Sequence, residues 1–79
     1  MSPDYVKFGM SLIRGIDNAT GQRQQVVATL VQMVRNLDIT ALAEGVETAA
    51  EHATCQQMGF ALGQGYFYGR PASPWQFLA

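Results

Sequence analysis

Three polar side chains stand where short apolar runs end: Lys7, Glu44 and Gln64. Lys7 is near the end of Asp4-Tyr5-Val6-Lys7-Phe8. Glu44 follows the run Ile39 to Ala43, and Gln64 lies between Gly63 and Gly65 after Phe60-Ala61-Leu62. If these runs are parallel strands, each delivers one polar group to the same rim, where α/β architectures keep their chemistry. A carboxylate and an amine gathered there suit work on a phosphate ester. Glu44 can ligate a metal or position water, Lys7 can stabilise a charged oxygen, and Gln64 can orient either group or the substrate. Each residue has a plainer alternative: Lys7 a solvated charge, Glu44 a surface or capping carboxylate. The glycines beside Gln64 suit close backbone approach of a ligand. Glu47, at the entry of a capped helix, reads as structural support. His52 and Cys55 read as helix-face residues, and Tyr66-Phe67-Tyr68 as packing more than as a base-stacking platform.

The elements that would position these residues are legible in the pattern. Residues 4–8 form a β-prone run between Pro3 and Gly9, predicting a strand. Residues 10–21 read as a connector with turn chemistry at Asp17-Asn18-Ala19-Thr20-Gly21. Val26, Val27, Leu30, Val31, Met33, Val34 and Leu37 follow helical spacing, predicting a helix over 22–37. The run 39–43 has the length of a buried strand. Thr48-Ala49-Ala50-Glu51 is a capping-box pattern opening a helix over 48–58, with Gly59 as its cap. A third strand is expected over 60–68. Ser73 and Pro74 suggest a short terminal helix over 74–78, with Trp75, Phe77 and Leu78 on its apolar side. The order predicts an α/β fold, a βαβαβ(α) arrangement of parallel strands. Three such strands cannot close a barrel, and both sheet edges would lie open.

Composition narrows the function. Among 79 residues, 48% are hydrophobic and only 14% charged, against about 25% charged in typical domains. Surface apolar area should therefore be high, which fits self-association or a piece of something larger. No run approaches the roughly 20 apolar residues of a membrane span, and the N-terminus lacks the pattern of a secretory signal. A lone cysteine without such a signal fits a reducing, cytoplasmic compartment. The cations at positions 7, 14, 23, 35 and 70 are scattered, which disfavours a duplex nucleic-acid binder. His52 and Cys55 have no second ligand pair in sequence, which disfavours zinc.

Three segments together resemble the closing motifs of EAL domains, bacterial phosphodiesterases that hydrolyse cyclic di-GMP to linear pGpG. They are Pro3-Asp4-Tyr5-Val6-Lys7, Ala43-Glu44-Gly45-Val46-Glu47-Thr48 and Gln64-Gly65-Tyr66-Phe67-Tyr68-Gly69-Arg70-Pro71. Their order and spacing also match, with Lys7 and Glu44 37 positions apart and Glu44 and Gln64 20 apart. The resemblance runs from Pro3 to about Phe77. It implies the last third of a modified TIM barrel of about 250 residues. It further implies that Lys7 lies beside a metal site and positions the attacking water. Glu44 would be a catalytic and metal-associated carboxylate, Gln64 a member of the same set, and Glu47 a support of the loop.

Two departures qualify what the resemblance implies. The family's Glu-Ala-Leu signature, its metal-binding Asn and Glu, and its Asp-Asp pair belong to earlier strands absent from this sequence. Where the family usually has Lys-Ile-Asp, this chain has Lys7-Phe8-Gly9, which removes a charge near the lysine. The full-length activity implied is Mg²⁺- or Mn²⁺-dependent hydrolysis of cyclic di-GMP. The chain alone is expected to be inactive and to hold no metal stably. The alternative is a degenerate, non-catalytic module that binds cyclic di-GMP or a protein. Its other expected partner is a second copy or a missing N-terminal barrel portion.

Overall fold

A computed structural model describes residues 4–69 and 75–76. The elements in chain order are β1 (Tyr5–Phe8), α1 (Met10–Ile13), a 3₁₀ turn (Ile16–Asn18), α2 (Gly21–Asn36), β2 (Thr40–Glu44), α3 (Ala49–Met58), β3 (Leu62–Gln64), a second 3₁₀ turn (Tyr66–Tyr68) and β4 (Trp75–Gln76). They build one sheet in the order β1-β2-β3-β4. The first three strands are parallel, and β4 runs antiparallel to β3.

Strand alternation sorts the side chains between two faces. Phe8, Ala41 and Ala43 belong to the buried core with Val27, Val31 and Val34 of α2 and Cys55 of α3. The three valines recur at i, i+4 and i+7, the stripe a helix lays on a sheet. Each fully buried valine contributes about 1.5–3 kcal/mol relative to exposure. The opposite face carries Tyr5 and Lys7 from β1, Thr40, Leu42 and Glu44 from β2, and Leu62 and Gln64 from β3. Register aligns Lys7 with Leu42, Leu42 with Leu62, and Glu44 with Gln64.

Capping fixes where the two long helices begin. Thr20 Oγ1 accepts from Arg23 N at 3.2 Å, and Arg23 Nη2 donates to the carbonyls of Ser11, Leu12 and Arg14 at 3.0, 2.8 and 2.7 Å. One guanidinium thus closes α1 against α2. Thr48 and Glu51 form a reciprocal capping box, and Gly59 ends α3 in the left-handed conformation. Among the described residues no helix is long and apolar enough to cross a membrane.

The structure corrects three expectations. The connector expected over 10–21 holds α1 and a 3₁₀ turn, and its last residue, Gly21, already belongs to α2. The strand expected over 60–68 is confined to Leu62–Gln64, because Gly65 at φ 144, ψ 179 turns the chain out of the sheet into the second 3₁₀ turn. The helix expected over 74–78 is not helical at Trp75–Gln76, which pair as β4 with Leu62 and Gly63. The backbone groups on the outer edge of β3 need partners, and this need outweighs the local signal of Pro74. The rest of that expected helix lies outside the described residues. β4 covers the β3 edge, so among the described strands the sheet ends at β1 on one side and at the two-residue β4 on the other.

Candidate functional site at the strand rim

At the C-terminal ends of β2 and β3 lies a concavity of about 220 Å³, lined by Met10, Arg14, Glu44, Gly45, Glu47, Gln64, Gly65 and Tyr66. Glu44 and Gln64 end their strands as register partners, so parallel pairing alone sets a carboxylate beside a carboxamide. Lys7 shares their sheet face but sits one strand over and one row down, aligned with Leu42. It is exposed, does not line the concavity, and holds its Nζ 6.0 Å from the centre of the Tyr5 ring. The structure therefore brings Glu44 and Gln64 together and leaves Lys7 on the approach to them.

Backbone geometry holds this rim in shape. Val46 N donates to Gln64 O, and Phe67 N donates to Val46 O, both at 3.0 Å. Two glycines make the crossing possible. Gly45, at φ 79, has Met10 where a Cβ would stand. A Cβ on Gly65 would run into the backbone of Val46. The close approach expected of a ligand at Gly65 is thus taken by the chain's own backbone.

Glu47 and Glu51 are committed to the loops around the rim. Glu47 Oε1 pairs with Arg14 Nη2 at 2.6 Å, a partly exposed ion pair worth about 0.2–1 kcal/mol. Glu51 is 3% exposed, and its carboxylate accepts from Gly15 N at 2.7 Å, Glu47 N at 2.8 Å and Thr48 N at 3.2 Å. Burial pushes its pKa upward. The three amides and Arg14 outweigh burial and hold it below the ordinary carboxylate value. Charge-assisted bonds of this kind are about twice as strong as neutral ones.

The remaining candidates are structural. Cys55 is fully buried, and burial, with Glu51 nearby, pushes its thiol up to about 12. Such a thiol is a packing group, since the thiolate is the reactive form. His52 Nδ1 and Tyr68 Oη are 2.9 Å apart, and His52 also packs on Phe67 with ring centres 5.0 Å apart. Burial, followed by Cys55, raises the Tyr68 pKa. Tyr66 departs from its neighbours, standing 78% exposed at the concavity. Met10, Arg14 and the Gly15 link to Glu51 were absent from the sequence-based site. No spacing signal marks them, because their partners lie on another loop.

The donor set does not by itself make a metal centre. Among the described residues, no three His, Cys, Asp or Glu side chains converge on one point. The bonds above engage Glu47 and Glu51, and Glu44 is the further carboxylate lining the concavity. The position after β1, Gly9, has open space around a notional Cβ. Strand parity places it on the face of Lys7 and Glu44.

Comparison with known proteins places this arrangement. The family model of the EAL domain matches residues 1–71. The signaling protein YkoW of Bacillus subtilis is 35% identical over 54 residues, covering 68% of this chain and 7% of its own length. A standalone EAL protein of Vibrio cholerae, solved with c-di-GMP bound, is similar at TM-score 0.79 and 38% identity over 89% of this chain and 29% of that one. Klebsiella pneumoniae BlrP1, solved as a calcium/cyclic di-GMP complex, is similar at TM-score 0.79 and 35% identity over 96% of this chain and 20% of that one. The EAL enzyme Bd1971 in its cAMP-bound form reaches TM-score 0.80 at 26% identity, over 92% of this chain and 20% of that one. The chain thus spans less than a third of each of these relatives.

Proposed function

This chain belongs to the EAL domain family, and on that premise we propose that it supplies part of a rim that handles the phosphodiester of cyclic di-GMP in second-messenger signalling. The observation that carries this reading is the pairing of Glu44 with Gln64 at the mouth of one concavity, with Lys7 on the same face. Relatives solved with cyclic di-GMP bound share this fold at 35–38% identity. In this reading Glu44 holds water or a metal ligand position, Gln64 orients the phosphate or its neighbours, and Lys7 meets the negative charge. Glu47 supports the loop through Arg14.

The chain alone is proposed to be catalytically silent. Its concavity of about 220 Å³ is smaller than the roughly 300–1,000 Å³ that encloses a small molecule. Its carboxylates do not form the two-metal clamp that in-line displacement uses, so the family's Mg²⁺ or Mn²⁺ would need ligands from further strands. The open edge of β1 adjoins a largely apolar groove lined by Val6, Lys7, Phe8, Leu12, Leu30, Met33, Val34, Leu37 and Ile39, a surface suited to another strand and helix. Further barrel units or a second copy are the proposed occupants, and a cytoplasmic location belongs to the same reading.

A second reading, a non-catalytic binding module, is favoured by Gly9, which leaves Glu44 without a neighbouring carboxylate at the end of β1. Incubation of the purified chain with cyclic di-GMP and Mn²⁺, with chromatography for pGpG, tests the main reading. No product is expected, and product would overturn the silence of the isolated chain. Calorimetry with cyclic di-GMP separates the second reading, which requires binding that is independent of metal and without turnover. Light scattering tests the exposed β1 face, where mass rising with concentration is expected and a monomer at high concentration would count against self-association.

A further inference from the structure

We propose that Glu51 is a positioning residue for the rim, fastening the loop after α1 to the loop between β2 and α3, an inference that rests on the reading of the rim given above. The sequence motif around Glu51 accounts for only one of the three bonds that its carboxylate accepts. A capping box requires the N3 side chain to reach the N-cap amide, and Glu51 does so at Thr48 N. The same oxygen also takes Glu47 N. The second oxygen reaches across 36 positions to Gly15 N at 2.7 Å, the shortest of the three bonds.

That long bond has consequences at the site. Gly15 follows Arg14, whose guanidinium pairs with Glu47, and it closes the short segment that begins at Met10. Met10 in turn lies against Gly45, the residue after Glu44. Met10, Arg14, Gly45 and Glu47 form one wall of the concavity. The exposed Arg14–Glu47 pair is too weak to hold two loops together. A buried carboxylate with three amide donors can, since leaving a buried donor unpaired costs the full desolvation of that group. Glu51 does not line the concavity and acts through the loops that do.

The chemistry of the side chain offers a clean test. Three N–H donors share two carboxylate oxygens, and a carboxamide has one acceptor oxygen and one NH₂. Glu51→Gln can satisfy Glu47 and Thr48 but then turns its NH₂ toward Gly15 N–H. Thr48→Ala removes the cap hydroxyl and leaves the carboxylate in place. Amide hydrogen exchange by NMR on the chain and both variants reads the difference. In Glu51→Gln, exchange at Gly15 is expected to quicken about tenfold or more, with shifts at Met10, Gly45 and Glu47 and none at Val27 or Val31. Thr48→Ala is expected to leave Gly15 protected. Equal loosening of Gly15 in both variants, or protected Gly15 in Glu51→Gln, would overturn the proposal. If Glu51→Gln does not fold, the unaltered chain decides. Gly15, Glu47 and Thr48 amides are then expected to open with one common exchange free energy, and independent opening of Gly15 overturns the fastening. A fastened rim that never engages cyclic di-GMP, in a barrel or alone, defeats the functional reading while leaving the fastening intact.

Discussion

Gly65→Ala is expected to destabilise the fold by about 2–5 kcal/mol. Gly65 sits at φ 144, ψ 179, a region used essentially by glycine alone, where another residue costs about 1–3 kcal/mol. An added Cβ would also meet Val46 O and N, which are backbone atoms and cannot swing aside as a side chain can. Both are pinned by the 3.0 Å bonds from Val46 N to Gln64 O and from Phe67 N to Val46 O. Displacing them weakens two hydrogen bonds of about 0.5–1.5 kcal/mol each. At roughly 0.05–0.15 kcal/mol per residue, a chain of 79 residues has about 4–12 kcal/mol in all, so that loss is a large share of it. Urea unfolding followed by far-ultraviolet circular dichroism measures the effect, with an unchanged m-value expected. A loss below about 0.5 kcal/mol would show that Gly65 is not held against Val46, and the account of how Gln64 is positioned would fail.

Three further outcomes follow from the same structure. Glu51 has a folded-state pKa below its ordinary 4.5, so the unfolded chain binds the extra proton as pH falls. Stability from this group is complete above about 4.5 and is lost as pH drops toward the lowered value, a slope that thermal melts across pH 3 to 6 should show and Glu51→Gln should flatten. Cys55, pushed up to about 12 by burial, should react with a thiol reagent at pH 8 only as fast as the fold opens, and rapid labelling of the native chain would contradict its burial. Gly9→Asp meets open space at φ −59, ψ 157, values any residue adopts. It should leave the unfolding midpoint nearly unchanged while raising Mn²⁺ affinity severalfold by calorimetry, and unchanged affinity would separate Gly9 from the Glu44 rim.

How much of this was legible in the sequence depends on the range of the interaction. α2 and the capping box of α3 are written in contiguous residues, by valine spacing and by Thr48 with Glu51. The placement of Glu44 and Gln64 at adjacent strand ends follows from the apolar runs, whereas Lys7 stands one row below them on β1, and the family resemblance agrees with the EAL domain match over residues 1–71. The length of β3 was not legible, because β-prone residues resume at Tyr66-Phe67-Tyr68 after the interruption at Gly63-Gln64-Gly65, and the break rests on the φ of Gly65. β4 was hidden because its helix signal is local and its strand partner is not. The Glu51–Gly15 bond and the Arg14–Glu47 pair join residues whose separation carries no periodic signal. They exist only because β1 and β2 pair side by side and bring the two following loops together.

The most direct test of the central claim transplants the rim. Residues 4–69 of this chain replace the matching segment of the Vibrio cholerae EAL protein, whose fold agrees at TM-score 0.79, and affinity for cyclic di-GMP is measured. The chimera is expected to bind in the presence of Mn²⁺, and Gln64→Ala and Lys7→Ala are each expected to weaken binding by about tenfold, the loss of a hydrogen bond to a charged group, with Glu44→Ala weakening it through the metal or water that this carboxylate holds. A chimera that does not bind, or whose affinity is indifferent to all three substitutions, would contradict the assignment of this rim to cyclic di-GMP.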